Sequence, residues 1–450
     1  MMPTLSLTKH LGYSVLLLAS AASSVAAQAA LTLGDAARLA ARQNTGVEVA
    51  RSRIAEADAR VAQQRASLYP DFSGYLQQVG RTTNTATFGF SFRDAATGKY
   101  LFDPNGQLLG PIPTVDARLR LQQSIFDFAS YARISAARAT SAFIATEVNS
   151  AAENAASSAA LAYVRLLRAE AQVAARTADS ALAVDLVRIA RDQLQAGAGI
   201  ALDVTRAESQ NANGRVQLIG ARMDRDHARL DLRRALNLAA DGPLVLADSL
   251  GGLPMEVAVL EEATLLSRAL ESRADVRALR AQRAAQRLQI QAIRAERWPS
   301  LSAVGDEGAL GKNWAHPIAT YTWALQLSIP IFDGFRRSAR LQEQEAVTNE
   351  YEARERDIRA QATLEVRGAL VDLAATREQV MAITDRLHFA EQEVAQAQER
   401  FRAGVAGNSD VIIALLSLNQ ARTLRNDALA AYQSSRVALA RATGGITQIP

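Results

Sequence analysis

Two long stretches of the chain place an apolar residue at every seventh position. They run from about Asp127 to Ala196 and from Phe335 to Ala403, with no proline and a single glycine between them. A seven-residue period is typical of helices that pack as a left-handed coiled coil. At 1.5 Å per residue, each predicted helix spans about 100 Å. The series are Val366, Leu373, Val380, Leu387, Val394 and Phe401 in the second stretch, and Leu166, Val173, Val187 and Leu194 in the first, where Ala159 and Ser180 also belong to the series.

A shorter period appears just before each long stretch. Apolar and polar residues alternate around Arg118–Phe126 and around Ala324–Phe332, which predicts strands with one apolar and one polar face. Strands of about ten residues with this alternation occur in outer-membrane barrels. A soluble antiparallel sheet has the same alternation, so both readings stay open from the pattern alone. Less regular strands are predicted after Pro70 and Pro299.

The two halves of the chain resemble each other at a shift of about 206–207 residues. Residues 119–127 match 325–333, and Ala196-Gly197 matches Ala403-Gly404. Each half is predicted as helix, strand, loop, strand, very long helix, glycine-containing turn and helix. We therefore divide the chain into a first repeat at 31–240, a linker at 241–260 and a second repeat at 261–445. An insertion of about 23 residues is predicted as an exposed loop within Arg81–Pro113, opposite a shorter loop within Gly305–Pro317.

The N-terminus has the pattern of a secretory signal peptide. Lys9 and His10 precede an apolar run at 11–19, and small residues follow up to Ala27 and Ala29. Residues 1–29 are therefore predicted as a signal peptide cleaved after Ala27 or Ala29, with a buried N-terminal helix as the alternative. Beyond it, no stretch approaches the roughly 20 apolar residues of a spanning helix, so any membrane-spanning part would consist of strands.

Composition narrows the possible functions. The absence of cysteine excludes disulfide scaffolds, thiol nucleophiles and an N-terminal lipid anchor on cysteine. The four histidines lie far apart in sequence, which argues against a histidine-rich metal centre, and no cofactor motif is present. Although 50 residues are Lys or Arg, they alternate with 46 acids, which does not match the concentrated basic patch of a nucleic-acid binder. With no phosphate loop, no nucleophile elbow and no metal spacing, an enzyme is not expected.

Four strands per chain cannot close a barrel, and an open sheet edge is not tolerated in lipid. The chain would therefore have to oligomerise. A dimer supplies eight strands, whose interior fills with side chains, whereas a trimer supplies twelve and leaves a pore. The runner-up is a periplasmic coiled-coil scaffold or adaptor without a pore. The lipid-type alternation at 325–331 and the lack of a compact β domain between the helices disfavour it.

Residues 400–411 and their weaker twin at 193–204 carry the most specific resemblance to a known family. With the Ile-Phe-Asp pairs at 125–127 and 331–333, they resemble the TolC-like outer membrane efflux protein family (outer membrane factors). The resemblance implies an α+β membrane protein: a trimeric 12-stranded barrel, four strands per chain, continuing into an α-helical coiled-coil barrel through the periplasm. It also implies an outer membrane exit duct of a tripartite efflux pump or type I secretion system. The implied partners are a periplasmic adaptor and an inner-membrane transporter.

In that family the two glycine turns lie at the periplasmic tip, and this assigns candidate residues here. Gly197 and Gly404 can end helices in the left-handed conformation. Asp203 and Asp410 begin the following helices, where N-capping is the simpler explanation and a carboxylate ring at the channel entrance the alternative. The resemblance implies an entrance at Asp410, Asp203 and Phe401, and adaptor docking at Gly197, Gly404, Leu194, Arg400 and Val405. Ala406 and Asn408 stand where the best-studied type has a charge-locked gate, so closure by packing and by Asp410 is expected.

Overall fold

The computed structural model describes residues 30–89, 93–101, 103, 105–255 and 260–450, and the predicted signal peptide lies outside these residues. Within them the chain forms eight α-helices and four β-strands. The first half contains α1 (Leu33–Gln43), α2 (Thr45–Ala66), β1 (Asp71–Asn84), β2 (Leu108–Asp127), α3 (Phe128–Gln195) and α4 (Ala201–Ala235). The second half contains α5 (Glu262–Ser272), α6 (Ala274–Ala295), β3 (Ser300–Gly311), β4 (Ile318–Ser328), α7 (Arg336–Arg402) and α8 (Asn408–Ala442). The same order of elements occurs in both halves.

The first helix of each half is interrupted, which the sequence patterns did not predict. At Asn44 the backbone is extended, and the Asn44 side chain accepts the Gly46 N–H at 2.8 Å, which starts α2. Arg273 takes the same extended conformation between α5 and α6. The capping side chain of Asn44 favours a new helix start over continuation of α1, whereas Arg273 forms no side-chain capping bond.

The two long helices match the predicted bounds closely. Asp127 caps α3, because its carboxylate accepts the Ala129 N–H at 2.9 Å, and Asp333 accepts the Arg337 N–H near the start of α7 at 3.1 Å. Most of the predicted seven-residue series is buried, including Leu166, Val187 and, in α7, Val366, Leu373, Val380, Val394 and Phe401. Leu194 is an exception with 39% of its surface exposed, so the buried seam of α3 ends before the turn.

The strands form one antiparallel sheet in the order β1-β2-β3-β4. Paired residues share a face, so Tyr75, Arg118, Gly308 and Thr320 lie in one row on the polar face. The predicted alternation is confirmed, but β4 ends at Ser328 rather than at Phe332. Pro330 lacks the N–H that would continue the ladder. The loops that join β1 to β2 and β3 to β4 are shorter than predicted, because β1 extends to Asn84, β2 starts at Leu108 and β3 reaches Gly311.

The helices pack as neighbouring pairs. Helix α3 packs against α4 and α8, and α8 packs against α7, so α4 and α7 are the outer members of this row. One apolar cluster surrounds Tyr163, Leu232 and Tyr432, and a second surrounds Leu186, Phe401 and Leu415 near the glycine turns. No helix in the described part of the chain is long and apolar enough to cross a lipid bilayer.

Candidate functional site at the paired helix turns

Both glycine turns have the same backbone geometry. Gly197 and Gly404 have φ of 71° and 70°, and each directly follows the C-capping residue of the preceding helix, Ala196 after α3 and Ala403 after α7. The N–H groups of Gly404 and Val405 donate to the carbonyls of Phe401 and Arg400 at 3.0 and 2.9 Å. The N–H groups of the first turn donate in the same way. This is the Schellman motif, in which a left-handed glycine lets the last carbonyls of the helix find donors.

The two aspartates do not cap their helices. Ile200 and Gly407 are the capping residues, and neither forms a side-chain capping bond. Asp203 and Asp410 lie three positions further on, in the first turn, where a carboxylate is stabilised by the positive end of the helix dipole. The expectation of N-caps was therefore wrong. Asp410 is exposed, whereas the Asp203 side chain is only 18% exposed and lies 4.0 Å from Arg206.

The candidate docking residues are on the surface, but Phe401 is not. Val405 is 72% exposed, and Leu194 and Arg400 are also exposed. Phe401 is 3% exposed and packs within the second apolar cluster with Val411 and the following residues of α8. A role of Phe401 at the entrance stays a prediction, and its burial within the chain restricts that role to supporting the turn.

Two side-chain amides connect the turns, and the sequence patterns did not reveal them. Gln193 Nε2 donates to the Phe401 carbonyl at 2.7 Å, and Asn408 Nδ2 donates to the Asp203 carbonyl at 2.7 Å. Both bonds cross from one helical hairpin, α3–α4, to the other, α7–α8. No spacing rule identifies such contacts, because their partners are backbone atoms about 205 residues away.

A buried polar belt joins α3 to α8 about 27 Å above the turns, at 1.5 Å of rise per residue. Asp179 accepts from Arg422 at 2.7 Å and from Arg176 at 3.4 Å, and it is almost fully buried. Burial raises the pKa of the Asp179 carboxyl, and the two arginines act in the opposite direction. The belt lies between the two apolar clusters.

The polar face of the sheet carries a network that spans all four strands. Arg118 on β2 pairs with Asp116 and with Asp306 of β3, and it donates to Thr320 of β4 at 3.2 Å. Tyr75 of β1 donates to Asp116 at 3.2 Å. All charges of the network therefore have partners within the sheet.

The opposite face of the sheet is uncovered and mostly apolar, although β3 places the exposed Glu307 on it between Leu119 and Tyr321. Its large exposed apolar side chains project from β1, β2 and β4: Phe72, Leu76, Leu119, Tyr321, Trp323, Leu325 and Leu327. Below it, Phe126, Phe128 and Trp298 form an aromatic group with ring centroids 4.3 and 5.8 Å apart. An exposed apolar face of this size indicates contact with lipid or another protein.

Comparison with known proteins identifies the family. A sequence model described as outer membrane efflux protein matches residues 36–238 and 265–445. The chain belongs to the outer membrane efflux protein family. A search of curated protein sequences found no match. Members of this family are outer membrane channels and not enzymes.

Solved structures of this family have the same fold. CusC is 18% identical over 92% of both chains, with a TM-score of 0.73. The Campylobacter jejuni outer membrane channel CmeC is 18% identical over 92% of this chain and 85% of its own, with a TM-score of 0.70. VceC from Vibrio cholerae is 19% identical over 92% and 96%, with a TM-score of 0.69. At such identities the likeness concerns the fold.

In the described ranges, no group of three or more His, Asp or Glu side chains could hold a metal ion. The turns instead offer exposed apolar side chains, helix N-termini and two carboxylates per chain. This arrangement is suited to packing against other helices and to interaction with passing ions.

Proposed function

We propose that three copies of this chain form an outer membrane exit duct that passively conducts solutes delivered by an inner-membrane transporter. The observation that carries the proposal is the sheet, which has an uncovered, mostly apolar face and continues into two helical hairpins whose longer helices, α3 and α7, are about 100 Å long. Strands β1 and β4 end the sheet on each side. In lipid their free N–H and C=O groups need partners, and other copies can supply them by closing a twelve-stranded barrel.

The helices support the same assembly. The outer helices α4 and α7 both expose apolar residues. Those at 216, 223 and 230 on α4 and those at 364 and 371 on α7 are seven residues apart, as in a coiled coil. The exposed apolar side chains are Val216, Ile219, Met223 and Leu230 on α4, and Leu364, Val371, Met381 and Phe389 on α7. In the proposed trimer, α4 of one copy packs against α7 of the next, which closes a ring of helices.

The glycine turns would form the periplasmic entrance. Asp410, and less directly Asp203, would form a carboxylate ring that favours cations. The exposed side chains of Leu194, Arg400 and Val405 on the two turns would contact a periplasmic adaptor. Whether the duct serves a tripartite efflux pump or a type I secretion system depends on that adaptor and its transporter.

The proposal also includes the organisation of the chain. Residues 1–29 would direct export, after which the repeats at 31–240 and 261–445, joined by 241–260, would each contribute two strands and one hairpin. The mature protein would lie in the outer membrane and extend into the periplasm.

The test is the conductance of the purified mature protein in planar bilayers, alongside Asp410→Ala. We expect discrete channel events from the wild type and lower cation selectivity from the variant. If Asp410→Ala leaves the cation selectivity of the channels unchanged, the exit duct is still supported but the carboxylate ring is contradicted. Folded, membrane-inserted protein without channels would instead favour a periplasmic scaffold.

A further inference from the structure

The tips of the two hairpins are held together by neutral groups. Among the described residues, the ion pairs that join hairpin α3–α4 to hairpin α7–α8 are Arg168–Asp427 and Asp179–Arg422, both far above the turns. Near the turns, Arg191–Glu208 and Arg402–Glu399 each stay within one hairpin. Besides the apolar contacts of the second cluster, the hydrogen bonds of Gln193 and Asn408 cross between the tips.

These two bonds run in opposite directions. Gln193, at the end of α3, donates to a carbonyl in the last turn of α7, while Asn408, at the start of α8, donates to a carbonyl of α4. Each hairpin therefore supplies one donor and one acceptor. Separation of the tips breaks both bonds together.

The Asn408 side chain is buried, and its two polar atoms differ in their hydrogen bonding. Asn408 is fully buried, and its Oδ1 atom has no hydrogen-bond partner within the described chain. An unpaired buried oxygen is unfavourable, and it would gain water as partner if the tips separated. The same residue thus holds the tips together through Nδ2 and favours their release through Oδ1.

The repeat does not duplicate this arrangement. At the shift of 207 residues, Gln193 corresponds to Arg400, which is exposed, and Asn408 corresponds to Ala201, which has no side-chain donor. The contact is therefore a property of these two positions and not a general consequence of two similar turns.

We propose that Gln193 and Asn408 form a neutral amide latch that holds the two hairpin tips together and keeps the channel entrance narrow. The gating part rests on the proposed duct, whereas the contact between the tips does not. Because both bonds join an uncharged amide to a backbone carbonyl, the latch does not depend on charge neutralisation at the entrance.

The test removes each donor while keeping the side-chain shape, with Gln193→Met, Asn408→Leu and the double variant. Gln195→Met and Ser409→Ala are matched controls, because both residues are exposed and neighbour the latch residues. Single-channel recordings of the full mature chain give the ratio of open to closed time. Gln193→Met is expected to raise this ratio about fivefold, the effect of one net hydrogen bond. Asn408→Leu is expected to raise it less, because it also removes the unpaired Oδ1, and the double variant is expected to raise it most. The controls are expected to match the wild type.

Hydrogen exchange of the backbone amides at 193–203 and 400–410 gives a readout that needs no pore. Faster exchange at both turns is expected in the latch variants and not in the controls. Unchanged exchange and unchanged open time would overturn the latch. Faster exchange with unchanged open time in a conducting channel would overturn its gating role. Faster exchange in a protein that never conducts would retain the latch and instead reject the duct.

Salt provides a further distinction. Raising KCl from 0.1 to 1 M shortens the Debye length from about 10 Å to about 3 Å and weakens contacts between exposed charges. With a neutral latch, the wild-type ratio of open to closed time is expected to change less than about twofold. A wild-type entrance that opens tenfold more at high salt would show that charge holds it and would overturn the proposal.

Discussion

At the scale of single residues, one backbone angle decides how each hairpin turns. Gly404 has φ of 70°, and a Cβ added there would meet no atom within 4 Å. Gly404→Ala is therefore expected to destabilise through the backbone alone, by about 1–2 kcal/mol. A lower midpoint of thermal unfolding, followed by circular dichroism at 222 nm, would show this.

Gly368 provides the control for that prediction. It lies inside α7 without a positive φ and also has open space at the Cβ position. Gly368→Ala should leave the midpoint unchanged or raise it, because alanine is favoured over glycine within a helix by about 0.5–1 kcal/mol. Equal loss in both variants would contradict the left-handed explanation.

Glu355 makes stability depend on pH. Burial of its carboxyl opposes ionisation, but hydrogen bonds and charge from Arg283 and Arg359 outweigh this and lower its pKa below the ordinary 4.5. A lowered pKa stabilises the fold above about pH 4.5, and this contribution is lost as the pH falls further. Glu355→Gln is expected to cost about 1–2 kcal/mol at pH 7. Thermal midpoints at pH 7 and pH 3.5 test it, since the difference from wild type should shrink at the lower pH.

The sequence predicted the turn glycines but not the environment of their neighbours. The left-handed conformation at Gly197 and Gly404 follows from local chemistry, because a helix end needs a residue without Cβ there. Asp203 and Asp410 were predicted as N-caps but lie in the first turn of their helices, since the helix start depends on the three-residue turn before them. Asn408, Gln193 and Asp179 could not be found, because burial of a polar side chain depends on a distant hairpin.

At the scale of elements, periodicity was the most reliable guide. The bounds of α3 and α7 differ from the predicted ones by about one residue, because no proline interrupts them and glycine follows them. The break at Asn44 and the end of β4 at Ser328 were missed, since alternation at 329–332 continues beyond the last ladder bond. Periodicity describes which residues share a face, and hydrogen bonding decides where an element stops.

Substitutions at Leu373 and Leu364 distinguish packing within the chain from packing between chains. Both belong to α7, but Leu373 is buried and Leu364 is 69% exposed. Leu373→Ala is expected to lower stability by about 2–4 kcal/mol in the detergent-dispersed monomer. Leu364→Ala should change the monomer by less than about 0.5 kcal/mol. Similar losses for both, measured by denaturant unfolding, would contradict the assigned faces.

At the scale of the whole molecule, assembly should depend on the apolar stripe of α4. Met223 is 56% exposed in the single chain and lies in the series shared with Val216 and Leu230. Met223→Glu places a charge in the proposed interface and is expected to reduce the trimer fraction at least tenfold.

Native mass spectrometry in detergent measures that fraction directly. Gln217→Glu is the matched control, because it adds the same charge to the same helix at an exposed position outside the stripe. If Met223→Glu remains as trimeric as this control, the α4 stripe is not an interface.

The two outer helices, α4 and α7, have different sequences and face different neighbours in the proposed ring, which has a genetic consequence. In the proposed ring each chain offers α4 to one neighbour and α7 to the other, so a chain altered on α4 alone still joins normal chains through α7. When altered and normal chains are made in equal amounts and mix freely, roughly one ring in eight contains normal chains only. A mutation on one edge is therefore expected to be dominant in a cell that expresses both alleles, whereas a deletion of the same gene copy would be recessive.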